Sequence, residues 1–352
     1  MDAEGAHAAV SRTEWMLFLA AVTALAIGFF VLPGYSIAAG AVFMLAQLGM
    51  LGALLVGVVR YRPVHPRGWW LLVAGHAANI VATLAWYPLT VAGVVELGFP
   101  TPADAGYLAG YALMLGGVWS LLWARLSADR AAVIDTAIVT IGLAVPLWAL
   151  LIGPAARDET LSLLARLVAI GYPTVDVLLV AVVARIMFAS QARLFGYGLL
   201  AVGLVGHLAA DVAYGVTTLT STFTFGHPLF AGWLVAYACI GATALHPSMP
   251  QMTEPARRGE PVVSVTRLAF LAGCALVPVG VLLVEARVGR FDDVVEAAVA
   301  TGVLFLLVMW RLYGLSVAVS EHKRMEELKS QFTSSVSHEL RTPLTAIHGA
   351  WG

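Results

Sequence analysis

Ten apolar stretches, each near the length that carries an α-helix through a bilayer, follow one another over residues 15–319. A hydrocarbon core about 30 Å thick takes about 20 helical residues, and within it every backbone amide must be bonded inside a helix or a closed barrel. The runs fall at residues 15–32, 36–59, 68–95, 103–123, 131–152, 161–188, 194–216, 229–245, 265–284 and 294–319. The eighth is short, and the third is long enough either to tilt or to place the stretch around Pro88 in an external turn. Only 12% of residues are charged, against about 25% in a soluble domain, which excludes an ordinary soluble fold. The expected class is all-α: a polytopic transmembrane bundle of about ten spans over residues 15–319, behind a short cytoplasmic N-terminus (1–14) and ahead of a charged helical tail (320–352).

Orientation follows from the loops, because cytoplasmic loops retain Lys and Arg. A cytoplasmic N-terminus places Arg12, Arg60, Arg62, Arg67, Arg125, Arg130, Arg185, Arg193, Arg257, Arg258 and Arg267 inside, and only Arg157, Arg287 and Arg290 outside. Ten crossings then return the tail to the cytoplasm. The N-terminus sets Asp2, Glu4 and Glu14 against Arg12, so it lacks the basic start of a signal peptide and its first run reads as a retained span. A net charge of −1 with no basic patch argues against a nucleic-acid partner. Cys239 and Cys274 lie in apolar runs and read as small core filler, not as metal ligands.

Two pairs of spans resemble each other. Gly75-His76-Ala77-Ala78 with Val81-Ala82 aligns with Gly206-His207-Leu208-Ala209 with Val212-Ala213; in the next spans, Gly106-Tyr107-Leu108 with Tyr111-Ala112 aligns with Gly232-Trp233-Leu234 with Tyr237-Ala238. Repeats four spans apart share an orientation, so the pattern implies a parallel internal duplication. Ionisable groups at membrane depth are costly and face the protein interior. His76, Asn79, Asp176, His207 and Asp211 are therefore a candidate signal pocket, and His207 and Asp211, four apart, share a helix face. The alternative is a set of satisfied interhelical hydrogen bonds that fix register. A haem between His76 and His207 is a minor option. Asp104 and Asp135 sit near span ends and read as helix-terminal carboxylates.

The tail carries the readable chemistry. Met325, Leu328, Phe332, Val336, Leu340, Leu344 and Ile347 recur at three- and four-residue steps, the stripe of a helix that packs in a coiled coil or bundle. Two residues from both Val336 and Leu340, His338 projects away from that stripe. Phe332-Thr333-Ser334-Ser335-Val336-Ser337-His338-Glu339-Leu340-Arg341-Thr342-Pro343-Leu344-Thr345-Ala346-Ile347 resembles the H box of HisKA-type sensor histidine kinases of bacterial two-component systems.

The resemblance implies that His338 takes the γ-phosphate of ATP, supplied with Mg, and passes it to an aspartate of a response regulator. It implies that Glu339 orients the imidazole proton, that Thr342 positions water for dephosphorylation, and that Pro343 kinks the helix. It also implies a homodimer through this helix and a place in the bacterial plasma membrane. Because only Ala350-Trp351-Gly352 follows Gly349, the ATP-binding domain is expected to be missing from this chain, which alone would not autophosphorylate. The ten-span region, with Ala244-Leu245-His246-Pro247-Ser248-Met249, more loosely resembles the multi-pass modules that actinobacterial signalling proteins place before kinase or cyclic-dinucleotide enzymes. The rival reading is a transporter-like or non-enzymatic membrane receptor with a vestigial tail.

Overall fold

A computed structural model describes residues 3–34, 36–91, 99–123, 130–188, 194–220, 222–254, 265–289 and 292–349; the side chains of 3–12, 87–91, 123, 130, 334–335 and 337–349 lie outside the description. Arg125, Arg193, Arg257, Arg258 and Arg290 fall outside it too. The described residues form helices and no strand. These are α1 (Ala3–Val31), α2 (Ile37–Tyr61), α3 (Arg67–Val91), α4 (Pro102–Trp123), α5 (Arg130–Leu147), α6 (Gly153–Arg157), α7 (Leu163–Phe188), α8 (Phe195–Leu219), α9 (Phe230–Leu245), α10 (Val265–Val288) and α11 (Val294–Gly349). Among the described residues, nine candidate spans are long and apolar enough to cross a membrane, with α5 and α6 counted as one, and the remaining apolar run, the eighth, is the shorter α9. The multi-pass helical architecture expected from the sequence is thus present. Pro88 lies inside α3, which stays helical to Val91, so the alternative of an external turn there does not hold.

Local chemistry sets the helix ends. Ser36 caps α2, its Oγ accepting from the Ala39 amide at 3.1 Å, and Arg62 closes the helix in the left-handed region at φ 44°. At the start of α4, Asp104 reaches back to accept from the Thr101 amide at 2.7 Å and its hydroxyl at 2.9 Å. Pro146 lies inside α5, which ends at Leu147, and the five residues after it, Trp148–Ile152, form a π-turn leading into α6. A missing amide donor displaces the helical ladder in this way.

Two compact units divide the chain, at 1–304 and 305–352. In the first, packing follows a closed circuit: α2 on α3, α3 on α4, α4 on α7, α7 on α8, α8 on α9, and α9 back on α2. Exchanging α2 with α7, α3 with α8 and α4 with α9 leaves this order unchanged, the symmetry expected of a parallel duplication. One core runs through all six helices, with Leu54, Trp69, Leu121, Val182, Leu200 and Ile240 buried together. Close crossings require glycine at equivalent places. A Cβ on Gly75 would lie 2.6 Å from the Gly110 carbonyl oxygen, and one on Gly206 would lie 2.9 Å from that of Gly232. Outside the ring, α1 packs on α2 and α9, α5 on α7, and α10 on α5. At the other end of α2, Phe29, Phe43, Phe225 and Phe230 form a second, aromatic core.

Asp135 departs from its expected role. It is fully buried and paired with Arg267, whose Nε donates to Oδ2 at 2.7 Å, so it joins α5 to α10 instead of capping a helix. The guanidinium also lies 4.9 Å from the centre of the Phe188 ring.

The segment after α9 clamps the ring. His246 Nδ1 accepts from the Ser248 amide at 3.1 Å, and Ser248 Oγ accepts from the Gly196 amide at 3.2 Å. Ser248 thereby serves the start of α8, whose own flanking residue, Leu194, offers no side-chain cap. The His246 ring packs between Trp15 and Phe195. Burial pushes this imidazole below the ordinary histidine range. As pH falls through about 6.5, the unfolded chain therefore takes up the proton first, and stability present above that pH declines below it. Thermal midpoints measured in detergent between about pH 8 and about pH 5 should fall less steeply for His246→Phe than for wild type; parallel curves would contradict this.

Candidate functional site

Four ring helices bring polar side chains together beneath their apolar surfaces. From α8, His207 Nε2 lies 3.3 Å from Asp211 Oδ2, the one-turn pairing expected from their spacing. From α9, the Trp233 indole donates to Asp211 Oδ1 at 2.7 Å. From α4, the Tyr111 ring meets His207 edge-on at 5.1 Å. From α7, the buried Asp176 lies within electrostatic reach of Asp211. A cavity of about 30 Å³ lies against Tyr111, Asp176 and His207. It has room for about one water molecule, with polar groups to hold it.

His76 and Asn79 form a second, linked group. His76 Nε2 is 2.9 Å from the Gln47 carbonyl oxygen; a carbonyl can only accept, so this nitrogen carries the hydrogen. The His76 ring lies 5.5 Å from that of Tyr237. The two histidines therefore make crossed contacts, His76 with the tyrosine of α9 and His207 with the tyrosine of α4, as the duplicated pattern demands. Asn79 Nδ2 contacts Met114 Sδ at 3.5 Å, while its buried Oδ1 has no partner. The haem alternative fails on geometry, since Gln47 occupies Nε2 of His76 and Asp211 faces Nε2 of His207. Among the described residues, no group of three or more His, Cys, Asp or Glu side chains is placed to hold a metal.

Sequence reasoning singled out both histidines and both aspartates but not Tyr111, Trp233 and Tyr237, which complete the cluster. The signal that could have found them was the repeat itself, in which Tyr111 aligns with Tyr237 and Tyr107 with Trp233. The Tyr107 hydroxyl donates to Thr83 at 3.1 Å, as Trp233 does to Asp211. Asp104 caps α4 as expected and also accepts from the Tyr172 hydroxyl at 2.7 Å.

In the second unit α11 runs as one helix to Gly349, and its helical assignment continues through Pro343. The backbone of His338, Glu339, Thr342 and Pro343 lies in this helix, and their side chains lie outside the description. The apolar stripe ahead of them is uncovered, with Met325, Leu328 and Phe332 all exposed, Phe332 by 70%. Residues 328–350 match the His Kinase A (phospho-acceptor) domain. The match supports a place for this chain in the histidine kinases of two-component systems. No curated protein and no solved structure matches the chain.

Proposed function

We propose that this chain is the receptor portion of a bacterial membrane-embedded two-component histidine kinase, in which His338 accepts phosphate from ATP and Mg and hands it to an aspartate of a response regulator. The observation that carries this reading is the phosphoacceptor match at residues 328–350, borne on the same helix as the last apolar run. In this reading residues 15–319 are the sensor and 320–352 belong to the phosphoacceptor domain, with both termini in the cytoplasm. Glu339 orients the His338 proton, Thr342 serves dephosphorylation, and Pro343 marks a bend used in switching. A second copy of the chain covers the stripe from Met325 to Val336, because an apolar helix face of this spacing is stable when buried against another helix. The buried cluster of Asp176, His207 and Asp211, linked to His76 and Asn79, is the element on which the stimulus acts: a change in its protonation or hydration alters how α4, α7, α8 and α9 pack.

The test is a fusion of this chain to the ATP-binding domain of a histidine kinase of known activity, incubated in membranes with radiolabelled ATP and Mg. The expected product is a phosphoprotein stable in alkali and labile in acid, with label that moves to a response regulator. Alkali-labile label, or none, would refute the proposal.

A further inference from the structure

We propose that the groove between α5, α7 and the first turns of α11 binds a single-chain amphiphile with a positively charged head. The cavity measures about 340 Å³, within the range of about 300–1,000 Å³ that small-molecule sites occupy. It is several times larger than the space beside Asp176, and its walls are apolar.

Its shape follows from small side chains and a displaced helix. Ala144 on α5 and Ala297 and Ala300 on α11 leave the volume open, and the π-turn after Pro146 brings Trp148 over one end. At that end carboxylates gather around one guanidinium, with Glu285, Asp293 and Glu296 all within electrostatic reach of Arg157. The Trp148 indole donates to Asp293 Oδ1 at 3.0 Å, and Arg157 forms an ion pair with the same carboxylate. Glu296 also lines the cavity, is exposed at its mouth, and among the described residues makes no direct hydrogen bond or ion pair, Arg157 acting on it only at longer range. The site therefore offers an apolar slot with a rim of carboxylates that share one guanidinium and remain net negative. A ligand that fits both has an alkyl chain lying along Val145, Val177 and Ala300 and an ammonium-type head beside Glu296. An anionic amphiphile places like charges together, and a neutral one leaves Glu296 without a partner.

Occupancy presses on Ala297 and Ala300, on the helix that ends in the phosphoacceptor segment, so the site is placed to bias that helix from its start. The binding itself does not rest on the histidine-kinase reading. The experiment is equilibrium dialysis of the full chain in phosphatidylcholine nanodiscs against dodecyltrimethylammonium, dodecyl sulfate and dodecanol below their micellar limits, with partition into empty discs subtracted. One saturable site per chain is expected for the ammonium probe and none for the sulfate. Glu296→Gln should weaken the ammonium probe about fivefold, the scale of one partly screened charge pair. Ala300→Phe and Ala144→Phe, which fill the slot from opposite walls, should each abolish saturable binding while the helical circular dichroism is retained. No saturable binding by the wild type overturns the proposal. Equal binding of all three probes, indifference to Glu296→Gln, or unchanged binding in folded wall variants also overturns it.

Discussion

In the kinase fusion, His338→Gln is expected to reduce acid-labile label to the level of the control without ATP. Glutamine retains a polar, helix-compatible side chain but has no ring nitrogen to attack phosphorus, so the chemical step loses its nucleophile while the helix keeps its form. His322 is the built-in control. It lies on the same helix, is exposed, and sits 3.6 Å from Glu326, so His322→Gln removes one α11 histidine outside the matched segment. Label retained in His322→Gln and lost in His338→Gln identifies the acceptor. Label that survives His338→Gln would refute the assignment.

A second large effect is expected at the contact between α5 and α10. Arg267→Met leaves Asp135 buried without its guanidinium, and removal of one partner from a buried pair costs about 3–5 kcal/mol. The double variant Asp135→Leu, Arg267→Met removes both charges and should recover most of that loss, because an uncharged pair of similar size needs no compensation. Unfolding of the reconstituted protein by a denaturing detergent, followed by circular dichroism, gives the comparison. Equal destabilisation in the single and double variants would show that packing, such as the stacking of Arg267 on Phe188, outweighs the charge.

Two kinds of information were legible in the sequence by itself. Length and polarity of the apolar runs determined that residues 15–319 form a stack of helices, because hydrocarbon leaves the backbone no alternative to internal hydrogen bonds. The spacing of Met325, Leu328, Phe332 and Val336 determined a helix with one apolar face, and the resemblance of residues 332–347 to an H box, carried by adjacent residues of one element, pointed to His338 as a phosphoacceptor. The repeat was visible as well, and it located His76 and His207.

Only the tertiary structure decided which helices touch. Nothing local to α7 or α8 says that Asp176 will come close to Asp211, or that Trp233 from another helix will donate to its carboxylate. In a membrane the lipid is as apolar as the helix surface, so hydrophobic patterning does not select helix partners. Selection falls to small residues that allow close approach, such as Gly75 against Gly110 and Gly206 against Gly232, and to polar groups that need a partner. Asp135 shows the same limit: its place near a helix end suggested a cap, and a guanidinium 132 positions along the chain captured it. The groove beside Ala297 and Ala300 was equally hidden, because a void is a property of three helices together and none of them records it alone.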